Sequence, residues 1–74
     1  MQFTRGAIRN NIDVALMYIT HDMTNGQWFD SRWVALNASD LGHGVSDNFV
    51  ERWLKEKAVE GYYERDGEFF RVVQ

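Results

Sequence analysis

Few side chains in this sequence are spaced for chemistry at a reacting atom. His21 and Asp22 are neighbours at the end of a helical pattern, and adjacent side chains on a helix do not face one another. His43 lies in the glycine turn Gly42-His43-Gly44 near Asp40, but no nucleophile or set of metal ligands accompanies it. Ser31, Ser39 and Ser46 fall where caps and loops account for them. There is no glycine-rich loop of the kind that cradles phosphates. Cysteine is absent, which removes thiol chemistry and disulfides, and a structural zinc would have only His21 and His43 beside carboxylates. The expectation is a chain that is not an enzyme and needs neither cofactor nor metal.

What remains are side chains suited to recognition, and these depend on the elements that hold them. The chain has 74 residues, enough for a single domain over 1–74, and a core of that size is marginal. Its stability must come from aromatic burial or from a second subunit. A first helix is expected over residues 5–23, capped by Thr4, because Ile8, Ile12, Ala15, Leu16, Ile19 and Met23 recur at spacings of three and four. Thr24-Asn25-Gly26 should stop it. Residues 27–32 suit a loop or a short helix. Trp33-Val34-Ala35-Leu36 has the apolar, partly β-branched character of a short strand. Asn37 then reads as the N-cap of a short helix at 38–41, with Asp40 in its first turn.

The spacing predicts a third helix over 46–60, with Ser46 as N-cap and Gly61 as terminator. Phe49, Val50, Trp53, Leu54 and Ala58 form its apolar face, and Asn48, Glu51, Arg52, Lys55 and Glu56 the opposite one. Beyond Gly61 the period changes to that of strands. Residues 62–65 and 68–73 should pair as a hairpin across Asp66-Gly67. A strand alternates its faces, so one residue of Tyr62-Tyr63 and one of Phe69-Phe70 must point outward. An outward Tyr and an outward Phe could form a cross-strand pair.

This order of helix, short strand, short helix, helix and hairpin resembles the winged helix-turn-helix family. The likeness is carried by the segment from Val45 to Gly67, with Val50 and Leu54 four apart, Gly61 ending the helix and an Asp66-Gly67 wing. Upstream, Ala38-Ser39-Asp40-Leu41-Gly42 is similar to the first helix of the helix-turn-helix pair, so the resemblance covers residues 33–73. Gly42-His43-Gly44 makes the turn about two residues longer than the tight pattern, and Lys57 stands where an apolar residue is usual. The fold implied is α+β, three helices with a short strand and a C-terminal β-hairpin wing.

The resemblance implies a DNA-binding regulator of transcription, working as a homodimer across two half-sites of double-stranded DNA. Helix 46–60 would then enter the major groove, with hairpin 62–73 as the wing. The site residues would be Ser46, Asn48, Arg52 and Lys55 on the helix, Arg65 at the hairpin tip, on phosphate or the minor groove, and Arg71 on a neighbouring phosphate. Asn pairs with adenine and Arg with guanine.

Charge argues the other way. The chain carries a net charge of −3, and residues 46–74 hold five basic against seven acidic side chains. Acids near phosphates reduce affinity and slow encounter. The alternative is an acidic winged helix that binds a host or nucleic-acid-processing protein, as a small viral or mobile-element protein would. No apolar run approaches the ~18 residues of a membrane span, and Met1 to Gly6 lack the apolar core of a secretory signal. A cytoplasmic protein without a membrane partner is expected.

Overall fold

A computed structural model of the protein describes residues 3–73; the ends of the 1–74 unit lie outside the described residues. The order is α1 (Arg5–Asn10), α2 (Ile12–Tyr18), a π-helical turn (Ile19–Met23), β1 (Phe29–Asp30), α3 (Ser31–Asp40), α4 (Asp47–Val59), β2 (Tyr63–Asp66) and β3 (Phe69–Val72). The fold is α+β, with an antiparallel three-stranded sheet of order β1-β3-β2 that contains the C-terminal hairpin. That layout is compatible with a helix-turn-helix followed by a wing.

The helix expected over 5–23 is interrupted. Thr4 caps it, its hydroxyl accepting from the Ala7 N–H. Asn11 then leaves helical geometry at φ −133°, and its side-chain oxygen accepts from the N–H groups of Asp13 and Val14. Asn competes for backbone donors and so favours caps over helix interiors. It closes α1 and opens α2. The π turn also shifts the phase of the apolar stripe. Ala15, Leu16 and Ile19 are buried as expected, but Met23 turns outward. Thr20 and Thr24 face inward instead, and each satisfies its hydroxyl on the carbonyl four residues back, at 2.9 and 2.7 Å. Asn25 and Gly26, both at positive φ, end the segment as expected.

The strand expected at 33–36 is helix. An apolar run of four residues is equally consistent with a buried strand and a buried helical turn. Here Asp30 decides: its carboxylate accepts from the Trp33 N–H at 2.9 Å and caps α3. The strand lies just upstream, at Phe29–Asp30, within the segment expected as loop or short helix. The short helix expected at 38–41 is the end of α3. Asn37 is therefore mid-helix, its amide donating to the Trp33 carbonyl, and Asp40 occupies the last turn rather than the first. α3 ends in a Schellman motif: Gly42 takes φ +92°, its N–H bonds to the Ser39 carbonyl, and the His43 N–H bonds to Ala38. α4 ends the same way, with Gly61 at φ +97° and Tyr62 N–H on the Lys57 carbonyl.

The core gathers one stripe from each element. Leu16 and Ile19 meet Val34, Ala35 and Ala38 of α3, Val50, Trp53 and Leu54 of α4, and Phe29, Tyr63 and Phe70 of the sheet. Phe49, expected in this core, is 42% exposed. It sits one residue before the Val50–Trp53–Leu54 stripe and is rotated off it. Trp33 is only half-buried for the same reason, since Val34, Ala35 and Ala38 take the inward side of α3. Among the described residues every buried side-chain nitrogen and oxygen is hydrogen-bonded, and no helix is long and apolar enough to cross a membrane.

Candidate interaction surfaces

α4 and the hairpin carry the residues expected to read DNA. Ser46 is the N-cap of α4, its hydroxyl accepting from the Phe49 N–H at 3.1 Å. Asn48, Arg52 and Lys55 follow at spacings of four and three, which puts them on one side of α4. Asn48 and Arg52 are exposed, and among the described residues Arg52 forms no ion pair. Lys55 is paired with Glu51 at 3.4 Å. Lys57 lies over the rings of Trp53 and Tyr62 and pairs with Glu60 at 3.5 Å, so its stem substitutes for an apolar side chain.

The hairpin separates its two arginines. Arg65 pairs across the ladder with Phe70 and Arg71 with Glu64. Phe70 and Arg71 are consecutive on β3, so the two guanidinium groups lie on opposite faces of the sheet. Arg65 donates from Nε to the Gly67 carbonyl at 3.0 Å and holds the turn. Arg71 stands between two partners, with the Glu64 carboxylate at 2.8 Å and the Trp28 ring centroid at 4.6 Å. The tip itself is displaced by one residue from expectation. Asp66 pairs with Phe69, so the two loop residues are Gly67 and Glu68, and Gly67 alone takes positive φ, as a type II′ turn requires.

The outward aromatics are Tyr62 and Phe69, one from each pair as alternation demands. They do not form a cross-strand pair. Tyr62 precedes β2 at one end of the hairpin, and Phe69 begins β3 at the other. Phe69 instead shares the outer sheet face with Asp30 and Asp66, its ladder partners on either side. Beside them Met23, Trp28, Phe29, Asp30, Trp33 and Phe69 line a cavity of about 320 Å³. The sequence cues for it are Trp28-Phe29, where only one ring of an extended pair can face inward, and Phe69-Phe70.

Tyr63, His21 and His43 are engaged in structure. Tyr63 donates to Thr20 Oγ1 at 2.7 Å, whose own proton goes to the Leu16 carbonyl at 2.9 Å. Burial pushes the Tyr63 phenol up to about 12. His21 Nδ1 donates to the Met17 carbonyl at 3.0 Å, and His43 Nε2 donates to the Ile8 carbonyl at 2.6 Å, tying the α3–α4 turn to α1. A second cavity of about 370 Å³ sets Arg5 and Arg9 of α1 near Tyr18 and Asp40. Among the described residues no three His, Asp or Glu side chains converge on a common point. In comparison with known proteins, the chain matches no family model, no curated protein and no solved structure.

Proposed function

We propose that this chain is a winged helix-turn-helix domain that acts by binding a protein, with α4 as its recognition-type helix and the hairpin as its wing. The observation that carries this reading is the mixing of charge on those elements. Glu51, Glu60 and Glu64 stand within ion-pair distance of Lys55, Lys57 and Arg71, at 3.4, 3.5 and 2.8 Å. The seven acids from Asp47 to Glu68 outnumber the five bases among which they sit. Duplex DNA carries a negative charge about every 1.7 Å along its axis, and such a face repels it. Exposed aromatics on the same elements, Phe49, Tyr62 and Phe69, supply the contact area that protein interfaces use.

A second reading, a homodimeric DNA-binding regulator of transcription, is favoured by one observation. Asn48 and Arg52 are exposed on one side of α4 and suited to base edges. Two parallel measurements separate the readings. A labelled mixed-sequence duplex is titrated with the full chain at low ionic strength, and nuclease-treated lysate is passed over the immobilised chain. Protein binding predicts no saturable duplex binding and a stoichiometric, nuclease-insensitive partner. Saturable, salt-dependent duplex binding that Arg52→Ala abolishes, with the native melting temperature kept, would overturn it in favour of DNA.

A further inference from the structure

The outer face of the sheet displays a repeated pairing of aromatic ring with carboxylate, and one copy of that pairing is already filled by a cation. In the filled copy, Arg71 lies 4.6 Å from the Trp28 ring centroid and 2.8 Å from a Glu64 oxygen. The neighbouring row of the same face carries Asp30, Phe69 and Asp66 side by side, by the register of β1 and β2 on β3. This second row opens into the cavity of about 320 Å³ walled by Met23, Trp28, Phe29, Trp33 and Phe69. The lining includes Asp30 and no lysine, arginine or histidine. Met23, Trp28 and Phe69 each leave 40% or more of their surface to solvent.

We propose that this groove is a docking site for an arginine- or lysine-bearing segment of a protein partner. The inference rests on the protein-binding reading above and names the face and the partner's chemistry. Aromatic faces attract cations through the ring quadrupole, at centroid distances up to about 6 Å. The aliphatic stem of Arg or Lys packs on apolar walls while its charged head reaches a carboxylate. The groove supplies both: rings and a thioether for the stem, and Asp30 for the head. Asp30 spends one oxygen on the Trp33 N–H, and its second oxygen is the acceptor for the incoming cation. Asp66 and Glu68, flanking Phe69 at the hairpin tip, add complementary charge around the mouth. An acidic or neutral segment finds no such match.

The test uses the ¹⁵N-labelled full chain and blocked hexa-arginine, hexalysine and hexaglutamate peptides. The indole N–H signals report position. Trp28 and Trp33 line the groove, whereas the Trp53 indole is bonded to Asp13 on α2 and serves as internal control. Saturable shifts of the Trp28 and Trp33 signals with the two basic peptides, with Trp53 unmoved and hexaglutamate silent, are the expected result. Asp30→Asn removes the charge and keeps a good N-cap, and Phe69→Ser removes an exposed ring; each should weaken binding about twofold to fivefold, the range of an exposed cation–π or ionic contact. Absence of shifts at Trp28 and Trp33, equal shifts with hexaglutamate, or affinity unchanged in both variants overturns the groove assignment. None of these outcomes bears on the duplex titration, so the protein-binding reading fails or survives separately.

Discussion

The contact between Tyr63 and Thr20 links the sheet to the π turn, and alkaline pH should break it. The phenol is buried and its pKa stands at about 12 against 10.0 for a free tyrosine. Between those values the folded chain keeps a proton that the unfolded chain has released. Stability from this group is therefore fully present below about pH 10 and is lost as pH rises towards 12. A rise from 10.0 to about 12 corresponds to about 2 to 3 kcal/mol, at about 1.36 kcal/mol for each tenfold change in proton affinity. That is a large part of the few kcal/mol a domain of this length holds. The assay is urea unfolding followed by far-UV circular dichroism at several pH values from about 9 to 12, on the native chain and on Tyr63→Phe, spanning the free and buried phenol values. The variant should cost about 1 kcal/mol at neutral pH for one lost hydrogen bond, since Thr20 Oγ1 still donates to the Leu16 carbonyl. Above about pH 10 its stability should fall less steeply than that of the native chain. If both chains lose the same stability across this window, Tyr63 is not the titrating group and its burial does not set the alkaline limit.

Two further substitutions test the packing beneath the proposed surfaces. Trp53→Ala should destabilise the fold by about 3–5 kcal/mol, because the ring packs 6.1 Å from Tyr63 and its Nε1–H donates to Asp13 at 3.0 Å; an unchanged melting temperature would put the ring outside the core. Gly61→Ala should cost about 1–2 kcal/mol in backbone strain alone, since a Cβ there meets nothing within 4 Å while φ is +97°; equal denaturation midpoints for the two chains would mean the Schellman end of α4 relaxes without penalty.

The parts of the fold that are legible in sequence are those where one residue type has one physical solution. Ser46 before an amphipathic run, and Gly61 after it, bound a helix because caps and positive-φ residues allow few alternatives. The hairpin follows from alternation and a glycine turn, although its loop is Gly67-Glu68 rather than Asp66-Gly67. Trp33 to Leu36 has the look of a strand because period cannot separate helix from strand in four apolar residues; Asp30, three residues upstream of the N–H it caps, holds the missing signal. The split at Asn11 and the π turn at Ile19–Met23 are hidden by a stripe that runs through both. The cations of the expected site are legible as an inventory, but sequence does not show what each already touches. Arg65 at the hairpin tip and Arg71 further along both read as phosphate contacts of the wing, yet strand alternation sends them to opposite faces.

The ion pairs on α4 and the hairpin matter less as bonds than as a record of where charge lies. Each is exposed and worth at most about 1 kcal/mol, so a phosphate could displace Glu51 from Lys55 or Glu64 from Arg71 at small cost. Displacement would not remove the carboxylates. Neighbours one helical turn apart are about 6 Å away, inside the roughly 10 Å over which charges act at moderate salt. A phosphate brought to Lys55 therefore still meets Glu51 and Glu56, and one brought to Arg71 meets Glu64. Arg52 escapes an ion pair among the described residues, but it too lies between Glu51 and Glu56 along the same helix. A layout compatible with a helix-turn-helix does not by itself create affinity for a duplex; it places side chains, and on α4 and the hairpin those side chains present more acid than base. For the proposed cationic protein segment the sign reverses, since Asp30, Asp66 and Glu68 about the Trp28–Phe69 groove would attract instead of repel.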